Sequence, residues 1–134
     1  MKKRIKLTDK PDIPGKLIGI ASHYKEYALV WAVNRITGFN FSKIEDLNFK
    51  GNIFSVFKYT DKKDDTHLLL ANKSSNAILI PKYKTIDFFY ISRKNESELK
   101  TIVSEFLKSD KINGSFILEN DKLLINILTE LFSE

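Results

Sequence analysis

Ile53-Phe54-Ser55-Val56-Phe57-Lys58-Tyr59, Thr66-His67-Leu68-Leu69-Leu70-Ala71, Asn76-Ala77-Ile78-Leu79-Ile80 and Thr85-Ile86-Asp87-Phe88-Phe89-Tyr90-Ile91 are four short runs rich in β-branched and aromatic side chains. Polar segments separate them, and those segments (60–65, 72–75 and 81–84) are four to six residues long. A parallel pair needs a crossover of a dozen or more residues, so the stretch predicts an antiparallel meander.

Working outward toward the C-terminus, Asn95 offers a helix-capping oxygen and Glu96 and Glu98 fall in the first turn that follows. Leu99, Ile102, Val103, Phe106 and Leu107 then recur at the spacing of one helix face. Residues 115–118 form a last short strand, and Leu123, Leu124, Ile127, Leu128 and Leu131 repeat the helical stripe. Toward the N-terminus, Leu17, Ile18 and Ile20 make a strand, and Ser22 is the expected N-cap of a helix ending near Thr37, with Arg35 in its last turn and Gly38 beyond. Its interior, residues 27–33, is apolar nearly all round. Such a helix is buried on several sides, so Trp31 is expected to be largely buried or else to meet a second copy in a homodimer. The order β-α-ββββ-α-β-α predicts one α+β domain over residues 16–134, a meander of about four to six strands packed against two to three helices. Residues 1–15, with Pro11, Pro14 and Gly15, read as a basic tail or an edge segment.

Composition narrows the function classes. The chain has 134 residues, enough for one core, and its ten Phe and five Tyr fill that core without metals or bridges. The absence of cysteine removes disulfides, thiolate nucleophiles and Cys-based metal sites, and fits a reducing, cytoplasmic setting. No apolar run follows the basic residues near the start, so no secretion signal is expected, and the longest apolar run is too short to span a bilayer. The net charge of +5 is uneven, because residues 95–134 carry four basic against eight acidic side chains while the densest basic cluster is Lys2, Lys3, Arg4 and Lys6. Those four are the nucleic-acid candidates.

Catalytic signatures do not emerge. The five glycines are too far apart for a phosphate-cradling loop, and no G-x-S-x-G elbow is present. His23 and His67 have no partner at metal-ligand spacing, and Ser22 and His23, although adjacent, diverge at a helix start. Neither a metal nor a cofactor is expected.

One segment, residues 71–89, has an individual signature. Ile80, Pro81, Ile86 and Asp87 match the pattern I-P-E-x-x-x-V-D-Y, with Lys82 in place of Glu and Phe88 in place of Tyr. The chain resembles the IPExxxVDY family of small bacterial proteins on these residues, on Leu17 to Ser22, on Trp31 to Asn34 and on Phe54 to Phe57. The resemblance implies no assigned activity. A reaction that depended on the motif carboxylate would not survive its replacement by Lys82, and Phe88 lacks a hydroxyl, so Asp87 alone of the ionisable motif residues remains.

These readings predict a non-catalytic protein-interaction module that docks an unidentified cytoplasmic protein through Pro81, Lys82, Asp87 and Phe88, with Trp31 as a further candidate. An RNA-associated accessory factor using the basic tail and central lysines is the alternative, and an enzyme comes third. Asp87 is expected to accept backbone N–H bonds from the 81–84 loop, or to pair with Lys73 or Lys82.

Overall fold

Strands β1 (Lys16–Ala21), β2 (Ser42–Lys43), β5 (Val56–Thr60), β6 (Thr66–Ala71), β7 (Phe88–Ile91) and β8 (Gly114–Glu119) form one antiparallel sheet in the computed structural model, which describes residues 13–132. Their order is β2-β5-β6-β7-β1-β8. The meander is thus β5-β6-β7, and the first strand of the chain lies between β7 and β8. Strands β3 (Leu47–Phe49) and β4 (Asn52–Phe54) pair as a separate hairpin. Lys50 and Gly51 both take positive φ at its turn, the conformation that matches the twist of a two-residue hairpin.

Among the described residues, three α-helices cover the sheet: α1 (Glu26–Thr37), α2 (Glu96–Phe106) and α3 (Lys122–Phe132). Leu29, Val30 and Val33 of α1 and Leu99, Ile102 and Phe106 of α2 pack on the face that carries Ile18, Ile20, Leu69, Phe88 and Tyr90. Leu124, Ile127 and Leu128 of α3, with Phe54 from the hairpin, pack on the opposite face against Leu17, Leu68, Leu70, Phe89 and Ile91. Strand alternation divides the two sets, and both faces are covered. Asn95 caps α2 as its sequence requires, accepting from Glu98 N–H at 2.8 Å while Glu98 Oε1 accepts from Asn95 N–H at 3.0 Å. Gly38 ends α1 at φ 79° and bonds the Asn34 carbonyl. At Gly19 a Cβ would lie 2.5 Å from Leu118 Cδ1 and 2.9 Å from Ile86 Cδ1, so glycine lets these chains close over the centre of the sheet.

Four expectations need correction. The run 53–59 is broken at Ser55 into β4 and β5, because Phe54 turns into the α3 layer while Val56 begins the ladder with Leu70. Residues 76–80 are not a strand: an isolated Lys73–Ile78 bridge and the bonds Ser74 N to Ala77 O and Leu79 N to Asn72 O close the segment on itself, so β7 pairs directly with β6. The last run becomes strand only from Phe88, after a 3₁₀ turn at Pro81–Tyr83, and Ile86 therefore packs with Phe89 and Ile91 instead of with Phe88 and Tyr90. Ser22 does not cap α1, whose preceding residue is Lys25. Its N–H is held by Asp87, and its Oγ accepts from Tyr24 N and donates to Lys111 O, which spends residues 22–25 on a turn.

Candidate functional site

The motif region is organised by Asn72, which the sequence did not single out. Its side chain is fully buried. Nδ2 donates to the Tyr83 and Ile86 carbonyls, both at 2.9 Å, and Oδ1 accepts the Ile80 N–H at 2.8 Å. One amide therefore satisfies three backbone groups of the 80–86 turn. Asp87 is bound differently from the expectation: Oδ2 accepts the backbone N–H of Ser22 at 2.8 Å, and Oδ1 pairs with Lys73 Nζ at 2.9 Å. The Lys73 pairing was among the alternatives, but the backbone donor comes from the end of β1 and not from the 81–84 loop. Within that loop the Tyr83 N–H bonds the Ile80 carbonyl, and the Tyr83 carbonyl accepts from Asn72.

Phe88 is buried in β7, between β6 and β1, so it does not lie on a sheet edge and presents nothing for docking. Pro81 and Lys82 are exposed, with Lys82 Nζ 5.4 Å from the centre of the Tyr83 ring. Lys2, Lys3, Arg4 and Lys6 lie outside the described residues.

Trp31 is 56% exposed, which corrects its placement in the core. Leu29, Val30, Ala32 and Val33 take the buried arc of α1, and Trp31 falls on the opposite one, a turn beyond Tyr27, itself 73% exposed. The Arg35 guanidinium carbon lies 5.4 Å from the Trp31 ring centre, and Lys111 Nζ lies 4.8 Å from that of Tyr24, also exposed. Between α1 and the loop after α2, a shallow cleft is lined by Trp31, Arg35, Lys108, Asp110 and Lys111 among others. An aromatic stripe with a cationic border thus runs along one side of the molecule.

No family model, curated protein or solved structure matches the chain. Its function must be read from its own surfaces and polar groups.

The other concentration of polar chemistry surrounds His67, which is 1% exposed. Its Nε2 lies 2.9 Å from Asp61 Oδ2 and its Nδ1 lies 2.8 Å from the Tyr90 hydroxyl. The His67 hydrogen bond above all, together with the N–H groups of Asp65 and Lys63, holds the Asp61 carboxyl down to about 2 against partial desolvation. Burial pushes the Tyr90 phenol well above its ordinary value. An ionised carboxylate only accepts, so Nε2 carries a proton toward Asp61. Tyr90 sits behind His67, fully enclosed, which keeps its hydroxyl from any substrate. Phe39, Phe41 and Tyr59 close the surroundings, with the Phe39 and Tyr59 rings stacked at 5.2 Å. His67 had no visible partner in the sequence, since Asp61 is six residues away across a hairpin and Tyr90 lies on the next strand. Among the described residues no group of three or more His, Cys, Asp or Glu is placed to hold a metal ion.

Proposed function

We propose that the chain is a non-catalytic protein-interaction module whose docking face is the aromatic stripe Tyr24, Tyr27 and Trp31, and whose partner is an acidic protein segment carrying an apolar side chain. The exposure of Trp31 beneath Arg35 is the observation that carries this reading. Trp, Tyr and Arg are the residues that supply most binding energy at protein interfaces, because large rigid rings lose little entropy when they are covered. Exposed aromatic rings gain from burial at roughly 25 cal/mol per Å² of apolar area. Charge selects the occupant, since Arg35, Lys108 and Lys111 face the cleft against Asp110, with Lys108 also paired to Glu105 at 2.9 Å. Pro81 and Lys82, exposed at another turn, offer no comparable apolar area.

Panning a displayed-peptide library against the folded protein tests the proposal. Enriched sequences should combine Asp or Glu with Leu, Phe or Trp, and Trp31→Ala and Arg35→Glu should each lose them. Enrichment that survives both substitutions would overturn it. So would tighter, steeply salt-dependent retention on single-stranded RNA through the same residues, which would transfer the surface to the RNA-associated reading.

A further inference from the structure

A second cleft, of about 400 Å³, opens between the 61–65 hairpin loop and residues 93–98, with Phe39, Tyr59 and His67 along its inner side. Its volume lies in the range of small-molecule sites. Lys62 and Lys63 stand on one wall, and Arg93 and Lys94 on the other. The lining acids are Asp61, Asp65 and Glu98. Asp61 accepts from His67, Lys63 N and Asp65 N, and Glu98 closes the cap of α2 and faces Lys94 at 4.0 Å. Among the described residues neither Lys62 nor Lys63 forms an ion pair. Four basic side chains against three acidic ones leave the cleft a small positive excess at its mouth, and its inner side is aromatic.

Both cationic walls are positioned by one buried polar chain. The Lys94 N–H donates to Ser92 Oγ at 3.4 Å, Ser92 hydrogen-bonds Tyr90, Tyr90 meets His67 Nδ1, and His67 Nε2 meets Asp61. Asp61 in turn gathers the Lys63 and Asp65 N–H groups and fixes the loop, with Asp64 at φ 65°. Burying polar groups inside an aromatic core is costly unless every one is satisfied, and an apolar pair at His67 and Tyr90 would have packed the same space. What the polar chain adds is a set distance between two basic loops.

We infer that this cleft binds a small phosphorylated ligand bearing an aromatic ring, of the nucleoside monophosphate class. The phosphate sits between the Lys62–Lys63 and Arg93–Lys94 walls, and the ring lies against Phe39 and Tyr59. Stacking on such rings and cationic contact to phosphate contribute together only when one molecule carries both groups.

Titration of the isotope-labelled protein with adenosine or uridine monophosphate, the free nucleosides and inorganic phosphate tests this by amide chemical shifts. Shifts should concentrate at residues 39, 59, 61–67 and 92–98. A mononucleotide should bind at least about tenfold more tightly than either nucleoside or phosphate alone. The Lys62→Glu, Lys63→Glu double variant, altered only on an exposed loop, should keep the wild-type spectrum elsewhere and lose about tenfold or more in affinity. Absence of shifts at millimolar mononucleotide, equal affinity for phosphate alone, or undiminished binding by the double variant would each overturn the inference. An oligoribonucleotide that binds these residues more tightly than the mononucleotide would also overturn it, because the occupant would then be an RNA strand.

Discussion

Asp87 Oδ2 accepts the backbone N–H of Ser22 at 2.8 Å, joining the start of β7 to the end of β1 across 65 residues of sequence. The bond stands where the chain leaves the sheet to form the turn before α1. Lys73 completes the carboxylate's partners from a third segment, so a single acid ties together β1, β7 and the loop after β6. The same Ser22 then donates through Oγ to the Lys111 carbonyl at 2.6 Å, which carries the connection on to the approach of β8.

Asp87→Ala strands the Ser22 N–H, whose residue is buried, and removes the partner of Lys73. A loss of about 1 to 3 kcal/mol is expected from the unsatisfied donor. Asp87→Asn keeps an acceptor oxygen and should recover most of that loss. Denaturant midpoints of the two variants measure the difference, and equal midpoints would deny the backbone bond its role.

Asn72→Ala should cost more, about 3 kcal/mol, because it strips the Ile86 carbonyl and the Ile80 N–H of their Asn72 bonds and leaves the Tyr83 carbonyl with the Ile86 N–H alone. Asn72→Asp is the sharper variant, since a carboxylate retains the acceptor toward Ile80 but offers nothing to the Tyr83 and Ile86 carbonyls. Amide exchange at Ile80 and Ile86 should accelerate in both variants before global unfolding.

Trp31→Ala should change stability by no more than about 0.5 kcal/mol, since the ring lies on the exposed arc of α1 and leaves no cavity. Thermal unfolding measures this, and a loss of several kcal/mol would return the ring to the core.

Asp61 sets a pH dependence. Its folded-state pKa of about 2 lies below the ordinary 3.8, so it contributes stability above the unfolded value and loses that contribution as pH falls through the folded one. The stability gap between the wild type and Asp61→Asn should be constant near neutrality and close as pH falls from about 4 toward 2. A gap that persists at pH 2 would show that hydrogen bonding independent of the charge holds the loop.

The helices and the centre of the meander were legible in the sequence because their causes are local. The cap at Asn95, the stripe from Leu99 to Phe106, Gly38 beyond α1 and the run of β6 each depend on residues a few positions apart. The site residues were legible only as candidates. Trp31 was noticed but placed inside, since an apolar run reads the same whichever arc faces the sheet, and residues 27–33 supplied more apolar side chains than the buried arc could hold. Phe88 was read as a docking residue because a meander drawn from the sequence ends at β7, whereas β1 pairs beyond it.

By itself, the sequence determined an α+β chain in which helices, one of them capped at Asn95, pack on an antiparallel meander, since period, capping and turn length act within a few residues. Only the tertiary structure decided that β1 enters between β7 and β8, that Asp87 reaches Ser22, that Asn72 holds the motif turn, and that Asp61, His67, Tyr90 and Ser92 form one chain. These contacts join residues with no periodic relation, and they become favourable only after sheet pairing has already met the entropy of bringing distant segments together.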